Sequence, residues 1–332
     1  MSDSGQSIGI ISVGAAVPER VLTNADLERM VETSDEWIRT RTGVRERRIK
    51  AEGEASSDYG ALAAQKALAK AGLEAKDIDL IICATFSPDE YCPSTACRIQ
   101  HKLGADGIGA FDLNAACTGF VYALTVAKHM IAGGIAKRVL VVGVDMCSSI
   151  VDYQDRGTCV LFGDAAGAAV VGPVSKGRGI LGEFLGADGS AGDWIWIPAG
   201  GSRKPASAQT VANREHYLKM NGNEVFRFAV RVLGESVDRA LAKTGYTIKD
   251  LDLIAPHQAN IRIIEAAARR FGLPMERVLC NIERYGNTSA ATIPLVLAEA
   301  EEEGKLVEDH LVALVAFGGG MTWGSVIVRW GK

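Results

Sequence analysis

Three side chains have types that could act together in nucleophilic chemistry, namely Cys117, His257 and Asn287. Cys117 lies in "FDLNAACTGFVYAL", residues 111–124, where a strand-like run meets a helix-like run. A cysteine thiolate is a strong nucleophile, and the unpaired N–H groups at the first turn of a helix favour that thiolate. Free cysteine is also a common small buried hydrophobe, so the local sequence leaves both interpretations open.

His257 and Asn287 are candidate polar companions for such a nucleophile. His257 follows an apolar strand-like run in "LDLIAPHQAN", and ligands gather at the C-terminal ends of strands in parallel α/β folds. Asn287 lies in "ERYGNTSAATIPL", a turn followed by a helix start. The alternatives are a hydrogen-bonded structural histidine and a helix cap. A structural role is predicted for Cys83, Cys97, Cys147, Cys159 and Cys280, and a surface or irregular position for His101, His129, His216 and His310.

An internal repeat supplies a reason for these groups to meet. Residues 68–81 and 241–254 share nine of fourteen positions at an offset of 173. Apolar strand-like runs and helix-like runs follow both stretches in the same order, which predicts a duplicated α/β unit with sheets covered on both faces. In that unit Asn287 would open the second-half helix as Cys117 opens the first. Residues 183–225 fit the pattern worst and are predicted to form an excursion near the site.

Composition excludes several classes of protein. The chain has 332 residues, 48% hydrophobic composition and a net charge of −4, which argues against general nucleic-acid binding. No run approaches the ~18 apolar residues of a membrane span, and the N-terminus does not resemble a signal peptide. The seven cysteines contain no CxxC pair, which suits reduced thiols. A cytoplasmic location is therefore expected.

Several motifs together resemble the 3-oxoacyl-[acyl-carrier-protein] synthase III family. "AACTGF", "PHQAN", "YGNTSAA" and "FGGGMTWG" stand in that family's order and spacing, and the resemblance covers nearly the whole chain. It implies a thiolase-like α/β fold with two pseudo-symmetric halves and a layered α-β-α-β-α core, usually as a homodimer. Residues 1–174 would carry the nucleophilic cysteine, and residues 175–332 would carry the histidine and asparagine.

The resemblance also implies an acyltransferase that initiates type II fatty acid synthesis. An acyl-CoA would acylate Cys117, and malonyl-acyl-carrier protein would then lose CO2 and condense with the acyl group. His257 and Asn287 would donate hydrogen bonds to the enolate, and the backbone N–H groups of Cys117 and Gly319 would form an oxyanion hole. No metal or redox cofactor is implied, and neither a nucleic acid nor a membrane is an expected partner.

Further residues receive binding roles from the same resemblance. The expected contacts to CoA and its pantetheine arm come from Thr33, Trp37, Arg41, Arg156, Gly157, Met220, Gly222, Phe226 and Asn260. Carrier protein would dock on Arg262, Arg269 and Arg270. Cys92 stands where many relatives have a phenylalanine that bounds the acyl pocket, so the primer could be longer or branched. For the basic run at residues 39–50, a solvated surface is the simpler alternative.

Other functions remain as rival hypotheses. A related condensing enzyme of specialised metabolism would use a different primer or extender. A Cys-His-Asn hydrolase would release free acid, although the sequence around Cys117 does not resemble that of papain-like proteases. Thiolases would place a second cysteine where this chain has "FGGGMTWG". A non-catalytic scaffold would tolerate replacement of Cys117.

Overall fold

Two mixed β-sheets form the framework of the protein, whose computed structural model describes residues 6–332. The strands are β1 (Ile8–Ala16), β2 (Val21–Thr23), β3 (Glu46–Arg48), β4 (Leu80–Ala84), β5 (Gly109–Leu113), β6 (Val139–Met146), β7 (Asp164–Pro173), β8 (Gly179–Ala187), β9 (Ile195–Trp196), β10 (Lys219–Met220), β11 (Leu253–Pro256), β12 (Leu311–Gly318) and β13 (Thr322–Arg329). The helices are α1 (Asn24–Glu28), α2 (Asp35–Thr42), α3 (Ser56–Ala71), α4 (Thr95–Leu103), α5 (Gly119–Ala132), α6 (Arg156–Cys159), α7 (Ala208–Ala212), α8 (Gly222–Leu241), α9 (Ile261–Phe271), α10 (Ile282–Tyr285) and α11 (Thr292–Glu302).

The two large sheets repeat one topology. The first has the order β1-β7-β6-β4-β5, and the second has the order β8-β13-β12-β11. In each sheet the first three strands pair antiparallel and the later strands pair parallel. A single bridge between Ile254 and Val278 stands where β5 stands in the first sheet. The boundary proposed after residue 174 falls in the turn between β7 and β8.

Helices cover both faces of each sheet. The central pair, α5 and α11, buries Leu124 and Leu297 in one cluster with Val141 of the first sheet and Leu314 of the second. Outside, α3 and α4 pack on the first sheet, and α8 and α9 pack on the second. The strands β6 and β12 are buried at every position, as sheets covered on both faces require. The predicted α-β-α-β-α order of layers is therefore confirmed.

The segment 183–225 is only partly an excursion. Residues up to Ala187 complete β8, a regular edge strand of the second sheet, so the prediction was wrong there. Beyond that strand, β9 and β10 form a short antiparallel pair, and α7 lies between them in sequence. In residues 6–332, no helix is both long enough and apolar enough to cross a membrane.

Candidate active site

A cavity of about 800 Å³ brings Cys117, His257 and Asn287 together. Cys117 comes from the turn between β5 and α5, His257 directly follows β11, and Asn287 precedes the turn that begins α11. The pseudo-symmetry places these segments side by side because α5 and α11 form one central layer. The site thus unites a nucleophile from the first half with two polar side chains from the second.

The Cys117 turn has a counterpart in the other half. Residues Ala116–Thr118 form a 3₁₀ turn with φ of 47° at Ala116, and the Asn114 side-chain oxygen accepts a hydrogen bond from the Ala116 N–H at 3.2 Å. In the second half the turn Ser289–Ala291 has φ of 53° at Ser289, and Asn287 accepts from the Ser289 N–H at 2.9 Å. Each asparagine thus holds a left-handed residue in place.

This correspondence corrects the prediction that Asn287 and Cys117 occupy equivalent positions in the two halves. At the repeat offset of 173, Asn287 matches Asn114, and Cys117 matches Ala290. The prediction was wrong because Asn287 lies before the turn Ser289–Ala291 and does not itself begin the helix. The nucleophile and its counterpart both lie at the second position of their 3₁₀ turns.

Burial dominates the protonation of Cys117. The residue keeps some accessible surface toward the cavity, yet the surrounding walls raise the pKa of its thiol to about 12. The Ser289 hydroxyl opposes this shift and the Asp145 carboxylate adds to it. The helix start therefore does not outweigh burial in setting this pKa, because the loss of solvation has the larger effect. With this pKa the thiol is neutral at neutral pH.

His257 is held as a neutral imidazole. It is 1% exposed, its backbone N–H donates to the Val315 carbonyl at 2.8 Å, and its ring meets the Phe317 ring edge-on at 5.5 Å between centroids. Burial lowers the pKa of His257 to about 3. Within residues 6–332 neither ring nitrogen has a hydrogen-bond partner. One N–H donor and one lone pair are therefore free for a substrate.

Asn287 presents a donor to the same cavity. Its side-chain oxygen is occupied by the Ser289 N–H, and its backbone N–H donates to the Leu161 carbonyl at 2.8 Å. The side chain of Asn287 is consequently fixed with its amide N–H group as the free donor. Together, His257 and Asn287 can offer two hydrogen bonds to one developing negative charge.

The candidate oxyanion hole lies between two closely packed segments. Gly319 lines the cavity beside Cys117, and a Cβ atom on the preceding Gly318 would come within 2.8 Å of the Cys117 backbone nitrogen. Thr322 Oγ1 lies 3.0 Å from the Ala115 carbonyl and 3.2 Å from the Gly319 carbonyl. This hydroxyl joins the nucleophile turn to the glycine loop.

The two halves differ where β6 and β12 end. Asp145 at the end of β6 accepts a hydrogen bond from the Ala290 N–H at 3.2 Å. Its counterpart at the offset of 173 is Gly318, which has no side chain to offer the Cys117 N–H. The backbone donor that Asp145 occupies in one half is therefore left available in the other, where the nucleophile lies.

The residues expected to contact CoA mostly line this cavity. Its lining includes Trp37, Arg41, Arg156, Gly157, Met220, Gly222, Phe226 and Asn260. The Arg156 guanidinium stacks on the Trp37 ring at 4.9 Å from its centroid. The Asn260 amide nitrogen donates to the Arg41 carbonyl at 2.9 Å, which braces the cavity mouth. Thr33 and Cys92 do not line the cavity of this chain.

Arginines give the cavity mouth a positive charge. Arg41, Arg156, Arg227 and Arg262 all belong to its lining, whereas no aspartate or glutamate among the described residues does. Arg262 stacks on Phe226 at 5.3 Å and has no carboxylate within 4 Å in the described chain. The other two arginines expected to bind carrier protein lie outside the cavity, paired with Glu265 at 3.9 Å and Asp238 at 3.7 Å.

Sequence reasoning did not identify the groups behind Cys117. Ser289 and Asp145 are fully enclosed, and Thr322 lies in the strand after the glycine loop. The signal that could have found Asp145 was the break in the repeat, where an aspartate in one half matches Gly318 in the other. In residues 6–332 no group of three or more histidine, cysteine, aspartate and glutamate side chains is arranged to hold a metal ion.

Comparisons with known proteins cover almost the whole chain. Residues 111–189 match the family 3-oxoacyl-[acyl-carrier-protein (ACP)] synthase III, and residues 241–330 match its C-terminal part. The beta-ketoacyl-[acyl-carrier-protein] synthase III of Symbiobacterium thermophilum is 56% identical over 325 residues, which are 98% of each chain. The crystal structure of the 3-oxoacyl-[acyl-carrier-protein] synthase III from Aquifex aeolicus has 45% identity and a TM-score of 0.90, covering 98% of this chain and 100% of that one. The enzyme of the same type from Thermus thermophilus has 45% identity and a TM-score of 0.91, covering 97% and 99%.

Proposed function

The chain belongs to the 3-oxoacyl-[acyl-carrier-protein] synthase III family, and from this premise we propose that Cys117, His257 and Asn287 are its catalytic residues. The enzyme is a condensing acyltransferase that initiates type II fatty acid synthesis. One observation carries the assignment of residues: a single cavity joins the thiol, the neutral imidazole and the free amide N–H. The substrates are an acyl-CoA primer and malonyl-acyl-carrier protein.

In the first half-reaction Cys117 becomes the acyl carrier. Its sulfur attacks the thioester carbonyl, a new sulfur–carbon bond forms, and the bond to the CoA sulfur breaks. The proton lost by Cys117 ends on the CoA sulfur. The products are therefore the Cys117 thioester and the free CoA thiol. The backbone N–H groups of Cys117 and Gly319 stabilise the tetrahedral oxyanion. Because the thiol is neutral at rest, its proton must leave as the sulfur attacks.

In the second half-reaction the carbon–carbon bond forms. Malonyl-carrier protein loses CO2, and the electron pair of the broken bond becomes an enolate on the remaining thioester. His257 and Asn287 donate hydrogen bonds to that enolate oxygen, and its carbon attacks the acyl group on Cys117. The Cys117 sulfur leaves and takes a proton from solvent, which yields 3-oxoacyl-carrier protein. The neutral imidazole suits this role because it carries a donor without needing a second proton.

The charge at the cavity mouth supports binding of CoA. Arg41 and Arg156 would meet its phosphates, and the adenine would stack on Trp37, whose ring the Arg156 guanidinium already covers. Met220, Gly222 and Phe226 would pass the pantetheine arm to Cys117, while Gly157 and Asn260 lie at the entrance. Thr33 is a more distant contact, since it does not line the cavity.

Arg262 is the centre of the proposed carrier-protein site, with Arg269 and Arg270 at its edge. We expect Arg262→Glu to weaken condensation with malonyl-carrier protein about tenfold or more, because charge reversal repels an acidic partner. Acylation of Cys117 by acyl-CoA should change much less. Arg239→Glu on α8, which lies outside the cavity lining, is the matched control. Equal loss of both half-reactions in Arg262→Glu would contradict the docking role.

A cytoplasmic homodimer is part of the proposal. The edge strand β5 of the first sheet is unpaired on one side, and Phe111 on that strand is 36% exposed. Tyr91, which precedes Cys92, is 86% exposed. Cys92 is also exposed and does not reach the cavity of its own chain. Its expected place in the acyl-pocket wall therefore requires a second copy of the chain.

Mass spectrometry of Cys117 after incubation with a panel of acyl-CoAs tests the function. We expect one acyl group on Cys117 per chain, and release of CO2 and 3-oxoacyl-carrier protein when malonyl-carrier protein is added. The preferred acyl group among short linear, branched and long chains gives the primer class. Cys97→Ala, which removes an exposed cysteine, is the control and should remain fully active.

Three results would contradict this function. Acylation of another cysteine at the wild-type rate in Cys117→Ser would remove the proposed nucleophile. Release of free acid without carbon–carbon bond formation would indicate a hydrolase. A different extender thioester used in place of malonyl-carrier protein would indicate a condensing enzyme of specialised metabolism.

A further inference from the structure

Ser289 is a buried hydroxyl residue that the reaction described above does not use. It is 1% exposed, it lies behind the cavity wall, and it belongs to the turn that corresponds to the Cys117 turn. Its Oγ atom is fully enclosed and has no hydrogen-bond partner of ordinary geometry within residues 6–332. A buried polar atom without a partner costs stability, so its retention calls for an explanation.

Two neighbours surround this hydroxyl. The turn Ser289–Ala291 packs against the turn Ala116–Thr118, and a Cβ atom on Gly119 would lie 3.6 Å from the Ala290 side chain. The Ser289 hydroxyl lowers the pKa of the Cys117 thiol and also that of the Asp145 carboxyl. The packing of the two turns, and the bond from the neighbouring Ala290 N–H to Asp145, bring the hydroxyl close to the Cys117 turn and to the Asp145 carboxylate.

The position of Ser289 is fixed from both sides. Asn287 accepts a hydrogen bond from its N–H at 2.9 Å, and Asp145 accepts one from the Ala290 N–H at 3.2 Å. Asp145 is itself held by the Ser87 hydroxyl at 2.8 Å and the Phe86 N–H at 2.9 Å. These bonds hold the backbone of the Ser289 turn beside the Cys117 turn within a largely buried polar network.

We propose that the Ser289 hydroxyl donates a hydrogen bond to the Cys117 sulfur whenever that sulfur carries negative charge. This inference rests on the proposed role of Cys117. Negative charge develops on the sulfur twice, once as the thiol loses its proton to attack the primer and once as the acyl group leaves during condensation. Ser289 keeps its own proton in both steps, so no bond to it forms or breaks.

The corresponding turn in the first half shows which residues can replace Ser289 without changing the backbone. The counterpart of Ser289 in the first half is Ala116, which has nearly the same φ. An alanine is therefore compatible with this left-handed position, and Ser289→Ala removes the hydroxyl without demanding a new backbone conformation. Ser289→Gly does the same and tolerates positive φ more easily.

The rate of Cys117 alkylation by iodoacetamide, measured against pH by peptide mass spectrometry, tests the proposal. The titratable groups that face this thiol are the Asp145 carboxyl, the Cys147 thiol and the His257 imidazole. In Ser289→Ala we expect the rising part of the profile to move about one pH unit upward, so that alkylation at a given pH is about tenfold slower. Ser236→Ala, which removes an equally buried and unpartnered hydroxyl on α8, should leave the profile unchanged.

The two half-reactions provide a second readout. Acylation of Cys117 by acyl-CoA should fall about tenfold in Ser289→Ala, whereas CO2 release from malonyl-carrier protein, which depends on His257 and Asn287, should stay near the wild-type rate. An unchanged alkylation profile in both Ser289→Ala and Ser289→Gly would overturn the proposal. Equal loss of acylation and CO2 release would also overturn it, by showing a structural role. Failure of the wild-type enzyme to accept any acyl-CoA would instead overturn the proposed function, and the alkylation profile would still decide the role of Ser289.

Discussion

His257 shows how one buried side chain links catalysis to stability. It is neutral because burial lowers its pKa to about 3, and its two ring nitrogens are unpaired within the described chain. An unfolded chain would protonate the same imidazole near its ordinary pKa of 6.5. Between these two values the unfolded state binds one proton more than the folded state, so acid favours unfolding through this residue.

The free energy of unfolding should therefore fall more steeply with acid in the wild type than in His257→Asn. We expect His257 to contribute a slope of about 1.4 kcal/mol per pH unit between about pH 6 and pH 4. Urea unfolding at a series of pH values measures this slope, and His101→Asn at an exposed histidine is the control. Parallel curves for the wild type and His257→Asn would show that the imidazole is not held neutral.

For single residues, the sequence predicts where the candidate catalytic side chains lie, but it does not predict their protonation states. The positions of Cys117 and His257 after apolar strands could be read from the sequence because strand ends meet at one edge of a sheet. The protonation of Cys117 could not, since it depends on how much water the folded walls exclude. Ser289 and Asp145 were missed for a related reason: a contact behind the cavity wall exists only after two distant turns pack.

Among the elements, the two-stranded antiparallel sheet of β2 and β3 contains an unusual buried cation. Arg47 on β3 is 0% exposed although its basic run suggested a solvated surface. Its guanidinium donates to the Val160 carbonyl at 2.8 Å, the Asn24 side chain at 2.9 Å and the Leu22 carbonyl at 3.2 Å. Burial lowers the pKa of Arg47 to about 10, which still leaves it charged at neutral pH.

Arg47→Met should destabilise the protein by about 3 kcal/mol, because three buried oxygen acceptors lose their donor. Arg45→Met is a matched control on the same segment. Arg45 is 60% exposed and pairs with Glu283 at 3.4 Å, so its loss should cost about 0.5 kcal/mol. Chemical denaturation of the three proteins compares these values. A similar small cost for both variants would show that the Arg47 hydrogen bonds add little to stability.

The same two-stranded sheet shows what the sequence of a single strand cannot predict. The basic run at residues 39–50 contains several arginines at short intervals. Their spacing alone does not predict which arginine side chain is buried. Arg47 turns inward because β3 pairs with β2 and its partners come from residues 22, 24 and 160. By contrast, the runs that form β6 and β12 were predictable, since strands buried on both faces are apolar at nearly every position.

At the scale of the whole molecule, the central layer belongs to both halves. The helices α5 and α11 share one hydrophobic cluster with both large sheets. Each half alone would therefore expose one face of its central helix and the apolar side of its sheet. The repeat in the sequence predicted two similar halves, but only the packing shows that they share one hydrophobic core.

Neither residues 1–174 nor residues 175–332 should fold cooperatively when produced alone. We expect broad thermal transitions and binding of a hydrophobic dye for each fragment, because burial of the shared layer is lost. Mixing the two fragments should restore a sharp transition monitored by near-ultraviolet circular dichroism. A sharp, native-like transition of the isolated first fragment would contradict the expected dependence.

The shared layer also has a consequence for synthesis on the ribosome. The first half leaves the exit tunnel well before α11 is translated, so the inner face of α5 stays uncovered while the second half is made. During that interval the nascent chain presents an apolar surface that chaperones bind and that other nascent chains can meet. Slowing translation between the two halves should therefore lengthen the period of chaperone association and lower the yield of native enzyme.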